Sequence, residues 1–180
     1  MISLLLLVTS LLTNANAEIV DEFCEQENSP NPMCVTTSDF IRKVVEADPK
    51  DLIIVQPTAR WCVYCRRLKA EMPDVLKDPK LVGKTIRFYS MNYDVKTETS
   101  NNQKFLNDVM KVYQLPSLHF FVGGEQKWEI QGAPFKLQLI RDFGYAADAA
   151  QAGLSKIEPY PTLLRDAQSL TDQIKQFFHR

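Results

Sequence analysis

The stretch Trp61-Cys62-Val63-Tyr64-Cys65 decides the fold of this chain. It follows the apolar run Leu52-Ile53-Ile54-Val55 and precedes a helix-like segment, 66–71, that Pro73 is expected to end or kink. A C-x-x-C pair that a strand delivers to the first turn of a helix is typical of thiol–disulfide redox sites. The unpaired N–H groups of a helix start favour the reactive thiolate, and two intervening residues keep both sulfurs within bonding reach. The stretch therefore predicts a dithiol site between a strand and a helix.

The residues on the N-terminal side and in the middle of the chain predict further helices and strands. Ser38 is a suitable cap for a first helix, whose apolar face follows at helical spacing. This face would consist of Phe40, Ile41, Val44 and Val45. Alternating apolar and polar residues predict a strand at 86–93, and the polar stretch 96–103 predicts a surface excursion.

The C-terminal half predicts a short helix, a hairpin and a long helix. The short helix would carry Phe105, Val109 and Val112. Gly123-Gly124 separates two strand-like runs, 118–122 and 127–131, and therefore indicates a hairpin turn. Pro134 fits the start of the next helix, with Leu137, Ile140 and Phe143 facing inward. The order of elements predicts an α/β protein whose central mixed β-sheet has helices on both faces.

The two ends of the chain predict export and a C-terminal helical extension. Residues 2–12 are apolar but too few to span a bilayer, and the Ala-x-Ala ending at Ala17 predicts a signal peptide at 1–17, with a buried N-terminal helix as the alternative. We expect an exported protein without stable membrane insertion, with the periplasm favoured over the extracellular space or the secretory pathway. Residues 146–180 would form the extension, because 160–180 carries an amphipathic helical pattern.

The cysteine count and the charge fit this compartment. Cys24, Cys34, Cys62 and Cys65 all follow the predicted signal peptide, and an even number in an exported chain indicates two bridges. The formal net charge is −1 with both signs interspersed, so the composition gives no sign of a nucleic-acid surface.

Over residues 37–145 the chain resembles thioredoxin-fold proteins. The motifs that carry the resemblance are the Trp-Cys-x-x-Cys at 61–65, the Leu115-Pro116-Ser117 loop and Gly132 after the hairpin. The Trp-Cys-Val-x-Cys form and Asp78-Pro79 are more similar to the periplasmic reductase branch, such as the C-terminal domain of the DsbD transmembrane reductase. The resemblance implies a thioredoxin fold in which a cis-proline at position 116 faces the cysteine pair. It leaves 18–36 as an irregular N-terminal segment.

The same resemblance implies roles for the site residues. Cys62 would attack as the thiolate and Cys65 would resolve the mixed disulfide. The substrate-binding residues would be Trp61 as an apolar rim, Tyr64 as a contact for peptides, and Leu115 with Pro116, which would present backbone to an extended segment of the partner. Arg60 and Arg66 flank the cysteines and would either favour the thiolate or be solvated charges.

The chain also departs from the family pattern. Gln56 stands near the position where family members often bury an acid, and Ser90 stands near the usual lysine partner of that acid. Neither side chain titrates in the working range, so no internal proton relay is expected. The stretch 94–104 accounts for a longer connection between the cysteines and Pro116, and it is expected to be a surface insertion.

The sequence predicts an exported thiol–disulfide oxidoreductase, a reductase or isomerase. Its expected partners are cysteine-containing proteins and a thiol redox donor, and it is expected to be a monomer without a cofactor or metal. Cys24 and Cys34 are expected to form a structural disulfide, with a second redox pair as the alternative. Two other functions stay open, a metallochaperone that uses Cys62, Cys65 and His119, and a non-catalytic peptide-binding module. His119 itself is a better candidate for the core than for catalysis.

Overall fold

The computed structural model describes residues 23–153. The predicted signal peptide at 1–17 and the predicted amphipathic helix at 160–180 lie outside these residues. Within 23–153, no helix is long and apolar enough to cross a membrane.

A four-stranded mixed sheet forms the centre of the molecule. Its strands are β1 (Leu52–Thr58), β2 (Ile86–Asn92), β3 (Ser117–Val122) and β4 (Glu125–Gln131), in the spatial order β2-β1-β3-β4. β1 pairs in parallel with β2 and antiparallel with β3, and β3 and β4 form the hairpin. The predicted mixed sheet and the predicted hairpin are therefore confirmed.

Alternation along β1 divides the core into two layers. Leu52 and Ile54 pack with α1 (Val63–Leu76) and α3 (Lys136–Gln151) on one face of the sheet. Ile53 and Val55 pack on the other face, against α2 (Asn102–Asp108) and two short turns before β1. Every residue of β1 is buried, as expected for the central strand of a sheet covered on both sides.

Helix α1 is longer than the sequence predicts, because it continues through Pro73 to Leu76. A proline inside a helix removes one hydrogen bond and crowds the preceding turn, at a cost of about 3 kcal/mol. Met72 and Val75 are fully buried in the core between α1 and the sheet. Their burial offsets the local penalty, so tertiary packing carries the helix one turn past the proline.

The first predicted helix is a pair of short turns instead. A 3₁₀ turn at Thr37–Asp39 takes Thr36 as its cap, in place of Ser38, and a π-type turn follows at Ile41–Val45. Phe40 and Val44 are buried, whereas Ile41 is 62% exposed. One turn of helix presents only one face to the core, and four apolar residues cannot share it.

The helix predicted after Pro134 also differs in register from the prediction. Helix α3 buries Leu139, Ile140 and Phe143, whereas Leu137 is 78% exposed. At about 100° per residue, Leu137 lies well outside the stripe that Leu139 and Phe143 define. The helix ends at Gln151.

Residues 23–35, which we call the N-terminal clip, lie along the outer edge of β2. A disulfide joins Cys24 to Cys34. Cys34 forms a parallel bridge with Ser90, where the Ser90 N–H donates to Met33 O at 2.7 Å and the Val35 N–H donates to Ser90 O at 3.0 Å. The clip is therefore closed by a covalent bond and attached to the sheet by backbone hydrogen bonds.

Candidate functional site

The end of β1 and the start of α1 hold the two cysteines of the C-x-x-C motif. Cys62 occupies the N-cap of α1, and its Sγ accepts a hydrogen bond of 3.2 Å from the Cys65 N–H. The two residues form a disulfide, with their Cα atoms 5.2 Å apart. A sulfur at a helix N-cap receives unpaired backbone N–H groups, which stabilise negative charge there. The local fold therefore places Cys62 where its thiolate is favoured.

The two sulfurs differ in their access to solvent. Cys62 is 6% exposed, whereas Cys65 is fully buried one turn into α1. Both pack with Ala59 in a small apolar cluster, against which Tyr93 and Leu115 also pack. Cys62 is therefore the more accessible residue of the pair.

Exposed aromatic side chains surround the cysteines. Trp61 is 65% exposed and Tyr64 is 62% exposed, although both are large and apolar enough for a core. On one side, Trp61, Tyr93 and Leu115 line an open groove of about 280 Å³. Exposed aromatic surface beside a reactive group is characteristic of interaction sites rather than of packing. The groove brings together Trp61 and Leu115 of the predicted substrate-binding set, whereas Tyr64 and Pro116 do not line it.

Leu115 lines this groove and is followed directly by Pro116. The peptide bond between Leu115 and Pro116 is cis, as the resemblance implies. Pro116 is buried, and its carbonyl accepts a hydrogen bond of 2.9 Å from the N–H of Gly132. Gly132 has a φ of +85°, which an L-residue with a side chain rarely adopts. The glycine after the hairpin therefore anchors the proline loop.

Uncharged polar groups lie on the sheet below Cys65. Gln56 is fully buried and donates from Nε2 to the Cys65 carbonyl at 3.2 Å. Ser90 is also fully buried and lies opposite Gln56 in the register of β1 and β2. Neither side chain ionises in the working range, so in this region the described side chains offer no proton to the resolving sulfur.

Arginine side chains on both sides of the motif make defined contacts. Arg66 donates from Nη1 to the Arg60 carbonyl at 3.1 Å, so its side chain reaches back across the cysteine turn. The Arg60 guanidinium forms an ion pair with Glu25 of the N-terminal clip. Arg67 lies 5.6 Å from the ring centre of Tyr64 and donates to Ala133 O at 2.7 Å. These cations therefore have defined partners while they remain exposed to solvent.

His119 belongs to the core and not to the cysteine site. It is fully buried, and its Nε2 lies 2.9 Å from Ser117 Oγ. Burial holds the pKa of His119 below its usual value, against the opposing effect of the Glu129 carboxylate. Its neighbours Leu118 and Phe120 point towards α1 and α3, so strand alternation directs His119 to the opposite face from Cys65.

No metal-binding arrangement is found at His119 or elsewhere in the described chain. Residues 23–153 contain no cluster of three or more His, Cys, Asp or Glu side chains that could hold an ion.

Sequence reasoning missed two contributors to the site, Tyr93 and Glu25. Tyr93 directly follows β2, and its N–H donates to Thr58 O at 2.7 Å. Because β1 and β2 are parallel, their carboxyl ends meet at one edge of the sheet, and this rule was the available signal for Tyr93. Glu25 is distant in sequence and reaches Arg60 only through the folded clip, so no local pattern identifies it.

Comparisons with known proteins give matches among solved structures and among family profiles. Among solved structures, thioredoxin f2 from Chlamydomonas reinhardtii is 15% identical, with a TM-score of 0.47, over 59% of this chain and 89% of that one. Trxlp from Edwardsiella tarda EIB202 is 18% identical, with a TM-score of 0.47, over 60% of this chain and 93% of that one. A search of curated protein sequences gives no significant match. The sequence profile of the thioredoxin family matches residues 31–143, and the chain therefore belongs to the thioredoxin family.

Proposed function

We propose that this protein is a thiol–disulfide oxidoreductase that exchanges disulfides with cysteine-containing proteins through Cys62 and Cys65. The observation that carries the proposal is the position of Cys62, which occupies the N-cap of α1 and retains some exposure while Cys65 is enclosed. The exposed rim of Trp61 and Tyr64 supports a macromolecular substrate, because it offers contact area around the sulfur.

The exchange proceeds in two balanced steps. The Cys62 thiolate attacks one sulfur of the substrate disulfide, the S–S bond breaks, and the leaving sulfur takes up a proton as a thiol. The Cys65 sulfur, once deprotonated, attacks Cys62, releases the second substrate sulfur as a thiolate and closes the Cys62–Cys65 disulfide. Two electrons pass from the dithiol to the substrate, and an external thiol donor must return them.

Trapping of the mixed disulfide tests the assignment of roles. A Cys65→Ser variant retains the attacking sulfur and lacks the resolving one, so it should accumulate covalent complexes with disulfide-containing proteins such as insulin. Cys62→Ser is the matched control and should trap none. Equal trapping by the two variants would contradict the order of attack.

We further propose that electrons flow outward from the protein, as in a reductase or an isomerase of the periplasmic reductase branch. Val63 and Tyr64 place no cation between the cysteines, so the reduced form lacks the stabilisation found in strong oxidants. The potential should lie nearer the roughly −270 mV of thioredoxin than the roughly −120 mV of DsbA. Equilibration with glutathione buffers measures it, and a value above about −150 mV would identify an oxidase instead.

The proposed compartment is an exported one, with the periplasm favoured. Support comes from the apolar run 2–12 and the Ala-x-Ala ending at Ala17. Mass spectrometry of the protein from an exported fraction should find a chain that begins after Ala17, and an uncleaved chain retained with the cytoplasm would contradict export.

A further inference from the structure

The N-terminal clip reaches the redox site from outside the sheet. Asn92 at the end of β2 donates from its side chain to the Phe23 carbonyl at 2.8 Å. The Phe23 ring has two cations over it, Arg60 and Lys69, each 5.6 Å from the ring centre. The Cys24–Cys34 disulfide follows immediately and holds this end of the clip in place. Phe23 therefore connects the clip to α1 and to the loop that precedes Cys62.

Arg60 is the point where the clip and the cysteine turn meet. Its guanidinium forms an ion pair with Glu25, which follows Cys24 directly in the chain. Its carbonyl accepts the hydrogen bond from Arg66 on the other side of the cysteines. Arg60 stands two residues before Cys62 in the chain, and a carboxylate that the clip supplies pairs with its guanidinium.

We propose that Glu25 is a positioning residue for the redox site, which holds the Arg60 side chain and offsets its charge beside the Cys62 thiolate. This inference rests on the proposed function, because it assigns the attacking role to Cys62. An unopposed cation near a thiol favours its thiolate, and a paired cation favours it less. The Cys24–Cys34 disulfide thereby acts on the redox site at a distance, because it fixes the segment that carries Glu25.

The clip also provides a matched control in Glu27. Its carboxylate accepts hydrogen bonds from the hydroxyl groups of Thr97, Thr99 and Ser100, in the inserted stretch that follows β2. Glu27 thus anchors the same clip through its carboxylate without contacting Arg60. A change at Glu27 loosens the clip, whereas a change at Glu25 alters the charge beside the thiol as well.

The experiment measures the reactivity of Cys62 without any partner protein. In a Cys65→Ser background with the Cys24–Cys34 bond intact, the rate of alkylation by iodoacetamide and the ultraviolet absorbance of the thiolate are followed against pH. Glu25→Gln should raise the alkylation rate below the titration midpoint by about twofold to threefold, the size expected for a water-screened unit charge nearby. It should also move the midpoint to lower pH.

Two controls separate charge from clip stability. Glu27→Gln should leave both the rate and the midpoint unchanged. With Arg60→Gln already in place, Glu25→Gln should have a smaller effect, because only the direct charge of Glu25 then acts on the thiolate and the arginine that Glu25 positions is absent. An unchanged rate in Glu25→Gln, or equal effects of the two glutamate variants, or the full effect in the Arg60→Gln background, would overturn the proposal.

This outcome is distinguishable from failure of the proposed function. Alkylation reports the charge environment of Cys62, whereas trapping by Cys65→Ser reports exchange with a protein disulfide. A protein that traps no partner and still shows the Glu25 effect has the electrostatic link without the activity.

Discussion

The two disulfides of this chain have similar dimensions and very different surroundings. Both join Cα atoms 5.2 Å apart, and none of the four cysteines is more than 6% exposed. Cys24–Cys34 joins cysteines separated by 10 positions of irregular chain. This segment is attached to β2 because Ser90 donates to Met33 O, Val35 donates to Ser90 O and Asn92 donates to Phe23 O. Cys62–Cys65 closes a single helical turn and has exposed aromatic side chains around it.

The comparison shows that the two bonds do not differ in the burial of their cysteines. What separates them is the backbone and the rim around each bond. Cys62 sits at a helix N-terminus, where a thiolate is stabilised, and its neighbours Trp61, Val63 and Tyr64 offer open contact surface. The residues around the Cys24–Cys34 bond are engaged in packing and hydrogen bonds. We therefore expect the two pairs to respond differently to the same substitutions.

The largest expected effect is on activity, from replacement of the inner pair. The double variant Cys62→Ser, Cys65→Ser should reduce insulin at no more than the rate of the buffer thiol alone, because the attacking sulfur is absent. The double variant Cys24→Ser, Cys34→Ser is the matched control and should retain turnover within about threefold. Turnover that collapses in the control while its circular dichroism stays native would contradict a purely structural role of the outer pair and favour an electron relay.

The second effect is on stability, from replacement of the outer pair. A crosslink closing about ten residues constrains the unfolded chain, so Cys24→Ser, Cys34→Ser should lower the free energy of unfolding by about 2.5–3 kcal/mol. Urea titration measures this loss. The loop closed by the inner pair is much shorter, and its replacement should cost less. A larger loss from the inner pair would reverse the comparison.

The third effect tests whether the aromatic rim serves binding. Trp61→Ala should raise KM for a protein substrate by roughly threefold to tenfold, because an exposed indole supplies contact area that alanine lacks. Stability should change little, since Trp61 is largely exposed. Val82→Ala is the control, because Val82 is also exposed but lies before β2, at the opposite end of the sheet from the cysteines. Equal KM values for both variants would remove Trp61 from the binding surface.

The smallest expected effect is a pH dependence of stability that comes from Glu27 in the N-terminal clip. Hydrogen bonds from Thr97, Thr99 and Ser100 lower the pKa of Glu27 from 4.5 to about 2. A carboxyl group with a lowered pKa in the folded state stabilises the protein above its unfolded pKa and loses this contribution as pH falls. The stability difference between the wild type and Glu27→Gln should therefore shrink as pH falls from 4.5 towards 2. Urea titrations at several pH values check this, and parallel pH profiles would contradict it.

The sequence was sufficient for the centre of the molecule. The C-x-x-C between a strand and a helix, the buried run in β1 and the glycine hairpin each carry a local signal, and the predicted mixed sheet is confirmed. These features are set by short-range chemistry, since periodicity, turn residues and helix starts act over a few residues.

The sequence-based predictions differ from the structure where contacts between distant residues determine the local conformation. Pro73 marks a helix end by its own chemistry, and only the burial of Met72 and Val75 carries α1 beyond it. The spacing of Ile41 predicts a core residue, but its short turn buries only Phe40 and Val44 against the sheet. The pairing of Glu25 with Arg60 joins residues far apart in sequence, and no spacing rule connects them.

The backbone bridge between Cys34 and Ser90 has a further consequence for how this molecule meets other copies of itself. A strand at the edge of a sheet offers unpaired N–H and C=O groups, and these invite another chain to extend the sheet. The clip occupies part of this row on β2 through Met33 and Val35. The opposite edge, β4, carries Glu125, Lys127 and Glu129, and charges of this kind discourage pairing. The β2 edge is thus covered by the clip, and the β4 edge carries charged side chains. Loss of the clip would expose the backbone groups of β2 and favour aggregation through this edge.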